Sequence, residues 1–128
     1  MLYIVDTYAW VEYLIGSKKG SILKKLREDD SNGFLTVECC LAELKSWCHR
    51  DGQDFERVYD IVRSNSIIIR VAEADWILAA DEKIRRRDRH PDFGLIDAVI
   101  LVKQKERGCK VVSGDRHFKG LKDVVFLG

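Results

Sequence analysis

The sequence predicts an α/β fold with a central parallel sheet flanked by helices. Short apolar runs alternate along the chain with longer segments of helical periodicity, a pattern typical of parallel βαβ units. At 128 residues the chain has the length of one domain with one sizeable core, so we expect a single domain over residues 1–128. Its 46% hydrophobic and 34% charged content is that of a globular protein and excludes a disordered chain.

Two strands separated by paired helices are predicted in the amino-terminal half. The apolar run Leu2 to Val5 indicates the first strand, and Thr7 can cap the helix that follows. Trp10 and Leu14 share one face of that helix, and Thr36 can cap a later one. After the first strand we predict, in order, helices Tyr8–Ile15 and Gly20–Glu28, strand Phe34–Thr36, and helices Val37–His49 and Phe55–Arg63.

In the carboxyl-terminal half, the sequence predicts that strands continue to alternate with helices. Its β-branched run Ile67 to Ile69 favours a strand, and Gly108 ends the last helix. We predict strand Ser66–Val71, helices Ala74–Arg87 and Leu95–Arg107, strand Lys110–Ser113, a short turn Arg116–Phe118 and strand Val124–Phe126. The sheet should therefore have four to five short strands.

The amino terminus and the cysteines both indicate a cytoplasmic protein. The chain starts with a strand-like run and shows no basic region of a signal peptide, and no apolar stretch approaches the length of a membrane-spanning helix. The cysteine spacing matches no zinc motif, so these residues are interpreted as small, reduced core residues. They are Cys39, Cys40, Cys48 and Cys109.

Four acidic residues stand where this fold would gather them. Asp6 and Asp115 each follow a predicted strand, and open parallel sheets place their ligands at the carboxyl ends of strands. Glu43 and Asp97 lie in apolar helical segments, where a carboxylate is costly unless its charge is compensated. Four converging carboxylates would need a cation, and an all-oxygen set suits Mg²⁺ or Mn²⁺. Such a cluster points to phosphodiester chemistry.

Each acid also has an ordinary interpretation. Asp6 and Asp115 can be helix caps at strand–helix turns, Glu43 a partly exposed helical acid, and Asp97 a buried, hydrogen-bonded one. No single position decides between these interpretations. The order and setting of all four favour a shared site.

With these residues the chain resembles the PIN-domain family, and within it the VapC-type toxin ribonucleases of VapBC toxin–antitoxin systems. The likeness extends over essentially the whole chain and rests on four short motifs in order. They are Ile4-Val5-Asp6-Thr7 with Trp10, Leu41-Ala42-Glu43-Leu44, Leu95-Ile96-Asp97-Ala98, and Ser113-Gly114-Asp115-Arg116-His117-Phe118, which is similar to the family's Ser/Thr-x-Asp-x-x-Phe pattern.

The resemblance implies a PIN-like α/β/α sandwich and a Mg²⁺- or Mn²⁺-dependent endoribonuclease whose active site is formed by the four acids. Asp6 and Asp97 would bind the metal directly, and Glu43 and Asp115 directly or through water. The implied products carry 5′-phosphate and 3′-hydroxyl ends. The implied partners are RNA, a cognate antitoxin protein that blocks the site with a basic side chain, and a second copy of the chain in a homodimer.

Other residues near the motifs carry two interpretations each. The hydroxyls of Thr7 and Ser113 can orient a carboxylate or simply cap a turn. His117 could contact a phosphate, although a surface or turn histidine is the favoured interpretation. A dense basic stretch, residues 83–90, can hold RNA phosphates or form a solvated helix end. The arginines in question are Arg85, Arg86, Arg87 and Arg89.

Three alternatives to the toxin interpretation remain. A phospho-acceptor receiver domain should show an acidic pair after its first strand, whereas Asp6 stands alone. A catalytically inert RNA- or protein-binding PIN domain should have lost at least one of the four acids, and all are present. The motifs do not separate a toxin from a housekeeping RNA-processing nuclease of the same fold.

Overall fold

A computed structural model of the protein describes all residues from Met1 to Gly128. Five strands and six α-helices alternate along the chain, and one 3₁₀ turn follows the fourth strand. The strands are β1 (Leu2–Val5), β2 (Gly33–Val37), β3 (Ile67–Ile69), β4 (Lys110–Ser113) and β5 (Val124–Phe126). The helices are α1 (Thr7–Leu14), α2 (Gly20–Arg27), α3 (Cys39–Asp51), α4 (Phe55–Asn65), α5 (Glu73–Arg86) and α6 (Leu95–Arg107), and the 3₁₀ turn is Arg116–Phe118.

All five strands are parallel and lie in the order β3-β2-β1-β4-β5. The first strand is central, with the chain extending first to one side of it and later to the other. Val5 of β1 is therefore paired with Val112 of β4, and the Asp6 amide donates to the Val112 carbonyl at 3.2 Å. This boundary between β1 and β4 is a topological switch point, where open α/β sheets bind their ligands.

The two faces of the sheet bury separate apolar cores, because side chains alternate across a strand. Tyr3 and Val5 of β1 join α1, α3 and α4 on one side. Ile4, between them, faces α6 on the other side, together with Val111 of β4. The result is the predicted three-layer α/β/α sandwich.

On the Ile4 side of the sheet, the middle of α6 is buried. Residues 98–103 of α6 are all buried, since the helix lies between the sheet and α5. The outer helix α5 exposes its far side to solvent, including the apolar residues Ile77 and Ile84. None of the helices has the combination of length and apolar character that crossing a membrane requires.

All the predicted strands and helices are present, with ends shifted by one or two residues. Two predicted caps are wrong. Asp6, rather than Thr7, caps α1, and Thr7 is the first residue of the helix. Thr36 remains inside β2, where its hydroxyl accepts a hydrogen bond from Trp10 Nε1 at 3.0 Å instead of capping α3.

Candidate active site

Asp6 occupies the switch point directly after β1. Its Oδ1 accepts a hydrogen bond from the Ala9 amide at 2.8 Å, which fixes the carboxylate at the start of α1. Only 3% of the residue is exposed. Burial is the largest cause of its shifted pKa and, together with the charges of Asp97 and Asp115, raises it to about 7. The hydrogen bonds from Ser113 and Ala9 act in the opposite direction and lower this pKa.

Asp115 is brought beside Asp6 by the pairing of β1 with β4. It caps the 3₁₀ turn, and its Oδ1 accepts a hydrogen bond from the His117 amide at 2.9 Å. The Asp115 amide in turn donates to Ser113 Oγ at 3.0 Å. The Ser113 hydroxyl therefore shapes the turn that presents Asp115, and it also contacts Asp6.

Glu43 approaches the site from α3. It is more exposed than the other three acids, but Thr7 Oγ1 donates a hydrogen bond to Glu43 Oε1 at 2.6 Å. Because Thr7 follows Asp6 directly, this bond ties the Glu43 side chain to the start of α1. The predicted orienting role of Thr7 is consistent with this contact.

Asp97 lies in the first turn of α6, with its side chain 20% exposed. Burial is the largest cause of its shifted pKa, and the charges of Asp115 and Glu43 add to it. Together they raise the pKa of Asp97 to about 6, against an opposing effect of His117. The raised pKa values of Asp6 and Asp97 have the same origin, which is negative charge held together away from water.

The four acids line one cavity of about 210 Å³ at the carboxyl edge of the sheet. Its lining is Asp6, Thr7, Tyr8, Glu43, Asp97, Ile100 and Asp115. A larger cavity of about 510 Å³ lies beside α1 and α2, but no carboxylate lines it. The cluster predicted from the sequence is therefore assembled in space, in the smaller of these two cavities.

No lysine or arginine forms an ion pair with any of the four carboxylates. The one basic side chain with a nitrogen within 4.0 Å of their oxygens is His117, which lies near Asp97 and Asp115. Buried carboxylates without a partner are expensive, so this arrangement is suited to an external cation. The donor set is chiefly carboxylate oxygen, which fits Mg²⁺ or Mn²⁺.

Gly114 is required beside the cavity because of Tyr8. A Cβ at position 114 would lie 2.2 Å from Tyr8 Cε1, far inside van der Waals contact. Glycine at this point of the motif thus allows the Tyr8 ring to pack against the end of β4. No local sequence pattern predicts this close approach.

His117 lies in the 3₁₀ turn, as one of its two ordinary interpretations expected, but it is buried. It is 8% exposed rather than on the surface, and its Nδ1 lies 2.9 Å from Asp115 Oδ1 and 3.6 Å from Asp97 Oδ2. Its position two residues after Asp115 was the only sequence signal for this proximity.

The basic stretch contacts the site only at its end. Arg85 Nη2 and Arg86 Nε pair with Glu82 of α5 at 2.7 and 3.2 Å, whereas Arg87 and Arg89 are exposed. The ring of His90, which closes the stretch, lies 5.5 Å from the ring of His117. Two of the four arginines considered for RNA binding are thus engaged in ion pairs within the protein.

The parallel α/β/α sandwich and the four carboxylates at its switch point place this chain in the class of α/β proteins that have an acidic site at the carboxyl edge of the sheet. The sequence model of the PIN domain matches residues 3–124. The chain belongs to the PIN-domain family, as its motifs predicted. No curated protein matches this sequence.

Solved structures of toxin–antitoxin proteins share this fold. The sarcin–ricin-loop-cleaving toxin VapC20 of Mycobacterium tuberculosis superposes with a TM-score of 0.79 at 17% identity, over 95% of this chain and 96% of that one. A Klebsiella pneumoniae toxin–antitoxin complex gives 0.69 at 17% identity, over 98% of both chains. VapBC2 of Rickettsia felis, bound to a promoter DNA fragment, gives 0.72 at 17% identity, over 98% and 97%.

Proposed function

We propose that the protein is a divalent-metal-dependent endoribonuclease and the toxin of a type II toxin–antitoxin pair. The observation that carries this proposal is the convergence of four carboxylates, without a lysine or arginine partner, on one cavity of a PIN domain. The catalytic residues in this proposal are Asp6, Glu43, Asp97 and Asp115. The similarity in fold to VapC20 and to two toxin–antitoxin complexes supports the toxin assignment.

The proposed cation is Mg²⁺ or Mn²⁺, held directly by Asp6 and Asp97, with Glu43 and Asp115 binding directly or through water. When bound, a divalent cation neutralises phosphate charge and lowers the pKa of a bound water. The proposed attacking group is water rather than a side chain or the RNA 2′-hydroxyl. The bond from phosphorus to O3′ would break, and the O3′ leaving group would take up a proton, so the products would carry 5′-phosphate and 3′-hydroxyl ends.

The protein's own groups keep these carboxylates in position. The Ala9 amide fixes Asp6, and the Thr7 hydroxyl fixes Glu43. Glu43 or Asp115 would accept the proton of the attacking water. Ser113 supports the turn that carries Asp115, so its role is to position a ligand rather than to bind the cation itself.

RNA is the proposed substrate, and the exposed arginines Arg87 and Arg89 are the proposed phosphate contacts at the edge of the site. An acidic cavity repels RNA in the absence of a cation, so positive charge nearby assists binding. Arg85 and Arg86 are less available because Glu82 pairs with both.

The proposed antitoxin binds beside α1 and α3. A cavity of about 410 Å³ between these helices is continuous with the acidic site through three shared residues, Thr7, Tyr8 and Glu43. An extended segment can bury apolar side chains there, against Val11 and Trp47, and place an arginine or lysine among the carboxylates. We also propose a homodimer and a cytoplasmic location, and light scattering on the purified chain tests the dimer.

Cleavage of RNA by the purified, partner-free protein is the direct test. We expect cutting of single-stranded RNA with Mg²⁺ or Mn²⁺, no cutting in EDTA, and 5′-phosphate ends that accept no label from a kinase until dephosphorylated. Undiminished cleavage in EDTA would remove the metal from the proposal. Absence of cleavage under all metal conditions, with an intact fold, would favour the inert PIN domain.

Competition between metal and antitoxin tests the inhibitory partner. We expect rising Mg²⁺ or Mn²⁺ to weaken binding of the antitoxin's carboxyl-terminal peptide, because cation and basic side chain share the same carboxylates. Affinity indifferent to metal, with full cleavage in the complex, would contradict this. A short neighbouring gene for a DNA-binding protein would favour the toxin over the housekeeping nuclease, and its absence the reverse.

A further inference from the structure

His117 is a buried histidine to which the proposed mechanism assigns no role. It lies in the 3₁₀ turn after β4, and its ring is fixed by two edge-on aromatic contacts. The Phe93 ring lies 5.5 Å away at 72°, and the His90 ring 5.5 Å away at 82°. A ring held this firmly presents its two nitrogens in defined directions.

The two nitrogens of this ring have different surroundings. Nε2 lies 3.0 Å from Oδ1 of Asp92, and Asp92 is in turn paired with Arg116. Nδ1 is fully buried and makes no hydrogen bond, although two carboxylate oxygens are close to it. An unsatisfied buried polar atom is rare in native proteins and requires an explanation.

The two oxygens near Nδ1 belong to proposed metal ligands. Asp115 Oδ1 is 2.9 Å away and Asp97 Oδ2 3.6 Å away, and ligand atoms of the three residues all lie within 4.8 Å of one another. Two ligand atoms bound at ~2.1 Å and at right angles to each other are about 3 Å apart. The spacing is therefore that of neighbouring ligands around one cation.

We propose that Nδ1 of His117 is a nitrogen ligand of the divalent cation, beside Asp97 and Asp115, and that Asp92 orients its ring. This inference rests on the proposed cation site and refines its donor set. Histidines that bind metals usually donate their other ring N–H to a carboxylate, which fixes the tautomer. With the Nε2 proton directed at Asp92, the Nδ1 lone pair lies beside the carboxylate oxygens of Asp115 and Asp97, which accounts for its lack of a hydrogen-bond partner.

A nitrogen ligand changes which metal the site prefers. Carboxylate and water suit both Mg²⁺ and Mn²⁺, whereas imidazole favours first-row transition metals. A mixed set of one imidazole and several carboxylates should therefore bind Mn²⁺ more tightly than Mg²⁺. The opposite arrangement, a doubly protonated His117 that pairs with Asp115, would repel the cation and leave no nitrogen on it.

Electron spin-echo spectroscopy of the Mn²⁺-loaded, partner-free protein decides between these arrangements. We expect modulation from a directly bound ¹⁴N nucleus, replaced by the ¹⁵N pattern when histidine alone is labelled with ¹⁵N. His117→Gln should abolish the nitrogen signal. The matched control is His49→Gln, an exposed position on α3, which should retain it.

Metal affinity measured by calorimetry gives a second readout that does not depend on cleavage. We expect His117→Gln to weaken Mn²⁺ binding at least about 10-fold, with Mg²⁺ binding changed by less than about 3-fold. Asp92→Asn keeps the ligand and removes its orienting carboxylate, so it should weaken Mn²⁺ binding by roughly 10-fold. It also serves as the second variant if His117→Gln does not fold.

The outcomes separate this inference from the proposed function. Bound Mn²⁺ without nitrogen coupling, or a coupling that persists in His117→Gln, overturns the histidine ligand and leaves a carboxylate-bound nuclease intact. Equal loss of Mg²⁺ and Mn²⁺ binding in His117→Gln also overturns it, because only a general structural effect would weaken both metals alike. Failure of the wild-type protein to bind either metal overturns the inference together with the proposed cation.

Discussion

Two groups of buried carboxylates lie in this molecule, one at the sheet edge and one between α5 and α6. Asp6 in the first group and Glu82 in the second are each 3% exposed. Glu82 is surrounded by cations: Arg85 at 2.7 Å, Lys105 at 2.9 Å and Arg86 at 3.2 Å. Asp6 has no lysine or arginine partner.

The pKa values of the two carboxyls move in opposite directions. Burial by itself raises the pKa of Glu82, but bonds from Lys105 and Arg85 outweigh it and hold the pKa at about 2. Burial raises the pKa of Asp6 to about 7, and nothing of opposite charge reverses it. Two carboxyls with the same solvent exposure therefore belong to two kinds of site. The charge of Glu82 is neutralised by cations within the protein and stabilises the fold, whereas the charge of Asp6 has no such partner and can receive a ligand.

The largest expected effect is a loss of catalysis when carboxylates at the sheet edge are replaced by neutral amides. Asp6→Asn and Asp97→Asn should each reduce RNA cleavage roughly 100-fold or more, because a cation ligand is lost. Their unfolding midpoints should be unchanged or higher, since like charges are relieved and the amide oxygen at position 6 can still accept from Ala9. Cleavage rates and circular-dichroism melts measure the two quantities.

The matched control for these variants is Asp81→Asn, an exposed acid on α5 that should change neither quantity. Normal cleavage by both site variants would show that the wrong residues have been assigned. Unfolding of both would show that the cluster stabilises the fold after all.

The second prediction removes a cation from the group of buried carboxylates between α5 and α6. Lys103, 5% exposed at its side chain, lies 2.7 Å from Asp75, so Lys103→Met leaves that carboxylate without its closest cation. We expect a loss of about 3 kcal/mol in unfolding free energy. The double variant Lys103→Met with Asp75→Asn should recover much of it, because neither position then carries an unpaired buried charge. A single variant as stable as wild type would contradict the comparison.

The third prediction concerns pH. In the folded state the pKa values of Asp6 and Asp97 are about 7 and about 6, above their ordinary 3.8. At any pH between 3.8 and these raised values, the folded protein therefore binds more protons than the unfolded chain. Stability in EDTA should therefore fall as pH rises from about 4 to 7, by about 1 to 3 kcal/mol. Urea unfolding at several pH values measures this, and Asp6→Asn should flatten the curve. A slope of the opposite sign would refute the assigned shifts.

The smallest expected effect lies within the basic stretch, where paired and unpaired arginines are neighbours. Arg87→Gln and Arg89→Gln should each weaken RNA binding a few-fold and lower the salt slope by roughly 0.7, the value for one phosphate contact on a single strand. Arg85→Gln should leave the salt slope unchanged, because Arg85 pairs with Glu82. Fluorescence anisotropy in a salt series measures it, and equal effects at all three positions would remove the distinction.

The elements and the four acids were predictable because their signals are local. Apolar runs, turn residues and short motifs fix strands and helices, and strand ends fix Asp6 and Asp115. The cap of α1 was not predictable, since Asp6 and Thr7 are adjacent and both are good caps.

The rest of the site depends on contacts that no local pattern shows. His117 is buried by Phe93 and His90, and it is bonded to Asp92, which lies 25 residues away in a loop. The pairing of Asp75 with Lys103 likewise joins two helices. Neither helix by itself indicates this pair, which forms only when α5 packs on α6.

The central position of β1 has a consequence for the newly synthesised protein. Asp6 leaves the ribosome first, but its neighbour Asp115 is carried by a strand near the other end of the chain. The contact between β1 and β4 closes a loop that contains most of the protein, and such long-range pairings form late in folding. A nascent chain that still lacks β4 also lacks Asp115, so the ribosome translating it meets three of the four carboxylates without the strand that completes their cavity.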